Sequence, residues 1–278
     1  MWETNNHLED DMRKGLLVWG YMLDKTPGTV PFVNGSSHCS LETAADYLEA
    51  GSVVYLNSNH SLDFPTAQHL ERLGKFDGVV CALLNDQGKM RESAAKVGRL
   101  SLEHKNIKGA IIDDFLDWHG PTAKMTPGDL KAVAAALKQD NPELKLYVVR
   151  YTWQDQKDLL PYLEHIDVIN LWVWVSTEHF WRSEYEPELD RIKQLTGKPV
   201  VQGLFLHNYG ETHNNGDQPI PLDLLQLQCK KIFPKVRSSS LEGCVVLQNG
   251  WFDRDSHREH VQWLRSYLEW FHGTTTTL

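Results

Sequence analysis

Eight short apolar runs recur at fairly even spacing along the 278 residues, and this repetition constrains the fold more than any other feature. They span 15 to 22 (GLLVWGYM), 52 to 57 (SVVYLN), 77 to 84 (DGVVCALL), 108 to 113 (KGAIID), 144 to 150 (LKLYVVR), 167 to 174 (DVINLWVW), 199 to 206 (PVVQGLFL) and 243 to 248 (GCVVLQ). Near-continuous Val/Ile/Leu, in place of strict alternation, is how strands buried on both faces of a parallel sheet read. The segments between them carry helix signals. Thr126-Pro127-Gly128-Asp129 supplies a cap, a first-turn proline and an early acid before an Ala/Leu-rich run that ends at Asn141-Pro142. The segment from Tyr185 to Leu195 stops at Gly197, and Val261, Leu264, Tyr267, Leu268 and Phe271 share one face of a C-terminal helix.

Eight βα units with no linker between them predict a single-domain α/β chain, a (β/α)8 TIM barrel over residues 1–278, since such barrels run to about 250 residues. An open doubly wound sheet is the rival. Against it, Gly20-Tyr21-Met22-Leu23-Asp24 follows the first strand where a dinucleotide or phosphate loop would carry glycines.

Composition narrows the function classes. A net charge of -9 without a basic run lacks the footprint that nucleic acid requires. No apolar stretch approaches the roughly 20 residues of a membrane span, so the chain reads as soluble, cytoplasmic or secreted after removal of a signal peptide. Cys39, Cys81, Cys229 and Cys244 have no metal-ligand spacing and read as free thiols, and no cofactor motif is present. Asn34-Gly35-Ser36 and Asn59-His60-Ser61 match the glycosylation triplet, a pattern common by chance. Oligomeric state is not readable from these features.

In a barrel, chemistry gathers at the C-terminal strand ends. Those ends are rich in aromatic and polar side chains: Trp19 and Tyr21, Asn57, Arg150 and Trp153, Trp172 and Trp174, His207 and Asn208, Gln248 and Trp251. The fourth strand runs into Asp113, Asp114, Asp117 and Trp118. Indole faces pack on sugar C–H faces while amides, guanidinium and carboxylates answer hydroxyls, so these residues predict a carbohydrate substrate. Strand alternation predicts that Asp113 and Asp114 point to opposite faces, one into the mouth and one toward the helices. Glu178, beyond strand six, is the first choice for a second acid across the mouth, with Asp253 and Asp24 in reserve. Arg150 either clamps a substrate carboxylate or forms a structural salt bridge with the outward aspartate. The polar segment from His207 to Asp217 suits a flap.

An acid at the end of strand four resembles the (β/α)8 glycoside hydrolase superfamily, in which that position commonly bears a catalytic carboxylate. Segment 109 to 121 (GAIIDDFLDWHGP) is loosely similar to the chitinase-type signature Asp-Gly-x-Asp-x-Asp-x-Glu, without its terminal glutamate. The resemblance implies cleavage of a glycosidic bond by paired carboxyl groups, here Asp113 or Asp114 with Glu178, and no metal or other cofactor. Two other classes stay open: a metal-dependent barrel hydrolase or lyase using Asp113, Asp114, His207 and perhaps His60, and a non-catalytic glycan-binding barrel.

Overall fold

Strands that are apolar along their whole length can satisfy backbone and side chains together only in a sheet covered on both faces, and closing that sheet removes its edges. The computed structural model, which describes residues 13–33, 35–57, 63–84, 87–116, 125–209 and 218–273, shows this solution. Its barrel strands are β1 (Leu16–Tyr21), β2 (Ser52–Leu56), β3 (Gly78–Ala82), β4 (Ile107–Ile112), β5 (Lys145–Tyr151), β6 (Val168–Trp172), β7 (Val200–Phe205) and β8 (Gly243–Leu247). All are parallel, each pairs with its neighbours in sequence, and β1 closes on β8 with Leu16 opposite Cys244. The chain is a (β/α)8 barrel, as its eight runs predict.

Among the described residues, seven α-helices alternate with the strands: α1 (Leu41–Leu48), α2 (Ala67–Arg72), α3 (Gln87–Glu103), α4 (Pro127–Lys138), α5 (Tyr185–Thr196), α6 (Leu222–Arg237) and α7 (Arg258–Gly273). The connection between β5 and β6 differs from the helical expectation. It is a 3-10 run, Gln156–His165, with Pro161 inside it, where a proline removes an α-helical hydrogen bond. The predicted caps are present. Thr126 and Asp129 form a reciprocal capping box at α4, and Gly197 ends α5 in the left-handed conformation. Among the described residues, no helix is long and apolar enough to cross a membrane.

The upper barrel interior is filled by rings. Trp172 of β6 meets Trp19 edge-on at 5.8 Å and Phe205 at 4.7 Å, and its indole N–H donates to Asn170 Oδ1 at 2.9 Å. Gly203 makes this placement possible: a Cβ there would sit 2.0 Å from Trp172 Cε3. Gly203→Ala is therefore expected to lower stability by at least the ~1–3 kcal/mol typical of overpacking. It should also alter the near-ultraviolet circular dichroism of the displaced indole. An unchanged urea midpoint and spectrum would contradict this packing.

Candidate active site

The C-terminal ends of the strands surround a cavity of about 520 Å³. β1 contributes Trp19 and Tyr21, β5 Tyr151, β6 Trp172 and the following Trp174, β7 Phe205 and the following Tyr209, and β8 Leu247 with Gln248. Phe32, exposed and in the left-handed conformation, reaches the rim from the β1–α1 connection.

Both aspartates after β4 line this cavity, which corrects the expectation that they diverge. Alternation holds only while the chain is extended, and β4 ends at Ile112. Asp114 has φ of 45°, a left-handed conformation that aspartate tolerates better than most residues, and its backbone N–H donates to Asp113 Oδ1 at 3.0 Å. With this turn both residues line the same cavity.

Tyr151 Oη donates to Asp114 Oδ1 at 2.8 Å. Burial, then the charges of Asp113 and Asp114, push the Tyr151 pKa well above its ordinary value, so the phenol remains a donor at neutral pH. Burial and then Asp113 likewise raise Tyr21. Across the cavity, Tyr209 Oη accepts from Trp251 Nε1 at 2.7 Å and Gln248 Nε2 at 3.2 Å. Burial pushes the Tyr209 phenol up to about 12 against the opposing effect of those two bonds. Gln248 Nε2 also donates to Pro31 O at 3.0 Å, and since a carbonyl only accepts, this fixes which end of the amide is nitrogen.

Of the residues expected from sequence, the structure gathers Asp113, Asp114, Trp19, Tyr21, Trp172, Trp174 and Gln248 around one cavity. It does not bring Glu178 there. That side chain is exposed and pairs with Arg182 at 2.6 Å, because it lies in the connection beyond β6, where no strand fixes its direction. Arg150 is fully buried behind β5, on the opposite face from Tyr151, paired with Glu188 of α5 at 3.4 Å and donating to Gln154 O at 2.6 Å. It is a salt-bridge residue, and its partner is that glutamate, not an aspartate of β4.

Trp153 stands half-exposed outside the lining, nearly parallel to Tyr151 at 6.1 Å. Asn57 lines a separate hollow with Asp24 and Tyr55, where His69 contacts both Asp24 Oδ1 (2.6 Å) and Tyr55 Oη (2.5 Å). Asn208 lies beyond the lining, its N–H on Gln218 O at 3.0 Å. Asp253 ties Ser37 and His38. Trp118, Asp117, His60 and residues 210–217 of the expected flap lie outside the described residues. Phe32, Phe205 and Leu247 are lining residues that the sequence reading did not select. Tyr151 and Tyr209, which stand at the ends of the fifth and seventh runs, line the cavity as well, Tyr151 in register with Trp172.

His207 and Trp251 form the layer behind Tyr209, stacked at 4.1 Å and 4°. His207 Nδ1 is 3.3 Å from His257 Nε2. Burial, then the neighbouring His207, His260 and Arg254, push His257 down to about 3. An unfolded chain would protonate this imidazole below about pH 6.5, whereas the folded one does not. Its contribution to stability is therefore complete above that pH and declines as pH falls, by about 1.4 kcal/mol per pH unit. Urea unfolding at pH 7.5 and 5.5 should show this loss, and His257→Gln should reduce it; an equal pH dependence in both proteins would contradict it.

No protein-family model and no curated protein matches the sequence. Solved structures do. One is a protein proposed to be an α-L-fucosidase from Bacteroides thetaiotaomicron, 10% identical with a TM-score of 0.59, covering 91% of this chain and 93% of that one. A β-D-glucuronidase from Dictyoglomus thermophilum is 12% identical, with a TM-score of 0.54 and coverage of 81% and 46%. A xylanase-α-amylase inhibitor protein in complex with trehalose is 14% identical, with a TM-score of 0.54 and coverage of 90% and 97%. At these identities the likeness is one of fold. A barrel of this kind hosts many unrelated activities, so function has to be argued from the site.

Proposed function

We propose that this barrel cleaves a glycosidic bond at the Asp113/Asp114 pair. The observation that supports this most is the placement of two adjacent carboxylates, one of them held by the Tyr151 hydroxyl, inside an aromatic-walled cavity at the C-terminal mouth. Glycosidic cleavage needs one carboxyl group to protonate the leaving oxygen and a second to act as base, nucleophile or charge stabiliser at the anomeric carbon. Among the described lining residues the carboxylates are Asp113 and Asp114, so both roles fall on this pair. Asp114, anchored by Tyr151, is assigned to the developing positive charge, and Asp113 to proton delivery.

Among the described residues no group of three or more His, Cys, Asp or Glu is placed to hold a metal ion, and His60 and Asp117 lie outside them. The deciding experiment measures release of sugar from a panel of aryl glycosides and polysaccharides by the wild type, Asp113→Asn, Asp114→Asn and Glu178→Gln. Turnover that is lost in both aspartate variants and kept in Glu178→Gln is the expected result. Full activity in both aspartate variants would remove the proposed acids, and binding without turnover on the entire panel would favour a glycan-binding barrel.

A further inference from the structure

The turn that carries Phe32 breaks a local rule. Val33 N–H donates to Val30 O at 3.2 Å, closing a turn over Val30-Pro31-Phe32-Val33. Proline suits the second position of such a turn, but Phe32 takes the third with φ of 63°, where a type II turn calls for glycine or asparagine. A bulky residue in the left-handed region is an outlier that persists only where its surroundings dictate it. Here they do. Val30 and Val33 are buried, and both lie against Gly250, where a Cβ would meet each valine at 2.7 Å. Gln248 Nε2 donates to Pro31 O at 3.0 Å. The residues that follow β8 thus pin both flanks of the turn and leave its tip at the rim.

That tip is an exposed ring. Phe32 is 75% exposed, whereas Trp19, Trp172 and Phe205 of the same cavity are 4% exposed or less. A single exposed apolar residue is ordinary on a protein surface and by itself signifies nothing. Phe32 combines exposure with a costly backbone conformation and a place on the cavity wall. Glycine would serve the turn better, and the ring leaves most of its surface in water, so folding does not account for it. The combination points to what binds at the rim.

We infer that Phe32 is a stacking platform for a sugar unit lying outside the cavity, so that the substrate is an oligosaccharide or polysaccharide chain crossing the rim. A sugar held against Trp19, Trp172 and Phe205 meets rings that the fold has already buried. A ring largely in solvent gains from binding only when a further unit covers it, its C–H face packed on the phenyl face. A phenyl ring has no hydrogen-bonding group with which to read hydroxyls, so Phe32 adds affinity for chain length and little preference for sugar identity. This inference rests on the reading of the cavity as a sugar site, and it specifies the size of the substrate.

The test is calorimetric binding of cello-, xylo-, malto- and chito-oligosaccharides, from one to six units, to the intact chain and to its Phe32→Gly and Phe32→Tyr variants. In at least one series, affinity is expected to rise about ten-fold or more between the single sugar and the longer chains. Phe32→Gly should remove most of that rise and leave the single sugar within about two-fold of wild type, while Phe32→Tyr should keep it. The melting temperature of Phe32→Gly should match or exceed that of the wild type, because glycine adopts the left-handed φ without strain. Affinity independent of length, no binding of any chain in the panel, or equal weakening of short and long chains overturns the inference. A fall in the Phe32→Gly melting temperature of about 5 °C or more would make the ring a structural cover and overturn it too. So would sedimentation showing a wild-type dimer that Phe32→Gly dissociates, which would make the ring a contact between copies. The two readings separate: hydrolysis of aryl monoglycosides with no gain from length sinks this inference alone, and length-dependent binding without hydrolysis sinks the cleavage alone.

Discussion

Asp114→Asn is expected to lower kcat/KM on the best glycoside by about 10²- to 10⁴-fold, the range for removing a positioned acid–base or charge-stabilising group. The substitution isolates the charge. Asparagine tolerates the left-handed φ of 45° at this position, and its carbonyl oxygen still accepts the Tyr151 hydroxyl that now lies 2.8 Å away. The thermal midpoint should therefore move by only a few degrees. Asp114→Ala would confound the experiment, since it loses the hydrogen bond and leaves a less tolerant residue in the same turn. Tyr151→Phe should give a smaller loss, on the order of 10- to 100-fold, because it removes one hydrogen bond to a charged group and leaves the carboxylate in place. An Asp114→Asn protein that keeps more than a tenth of wild-type kcat/KM would exclude Asp114 from the reacting groups.

The fold was legible because its main cause is local. Runs such as Leu16–Tyr21 and Val200–Phe205 are buried at every position, so hydrophobicity alone marks them, and eight of them leave few ways to close. The connection Gln156–His165 was harder, because its apolar spacing suggests a helix while Pro161 blocks one. At the site, sequence gives the strand ends but not the phase of each side chain. Arg150 and Tyr151 are neighbours with opposite directions, and only the register with Trp172 shows which enters the cavity. Alternation then misleads at Asp114, where the strand has already ended and a left-handed turn leaves both aspartates on the same cavity. Glu178 lies farther along a connection, where no periodicity applies. Phe32 reaches the rim from a loop anchored by a two-residue hairpin, Gly28–Thr29 with Ser36–Ser37, and no local signal announces that.

Glu188→Ala is expected to produce the largest loss of stability, about 3–5 kcal/mol, because it strands the Arg150 guanidinium in the layer between β5 and α5. Burial already pushes the Arg150 pKa down, and the Glu188 charge is the chief influence opposing it. Arg150 retains one other bond, to Gln154 O, while its Nε has no partner among the described residues. Glu188 also pairs with Arg191, but that guanidinium is largely exposed and such pairs contribute about 1 kcal/mol or less. At roughly 2–4 °C per kcal/mol for a chain approaching this size, the melting temperature should fall on the order of 10 °C. Arg150→Met combined with Glu188→Leu should recover most of that loss, since an apolar pair of similar volume removes both buried charges. The consequence for the site follows from connectivity. Arg150 holds the Gln154 carbonyl, the Gln154 side-chain oxygen accepts the Tyr151 N–H at 2.9 Å, and Tyr151 holds Asp114. A structural anchor of this kind predicts that the double variant lowers kcat modestly and equally for neutral, cationic and acidic glycosides. A rise in KM confined to acidic substrates would instead make Arg150 a substrate clamp and overturn its placement behind the strand.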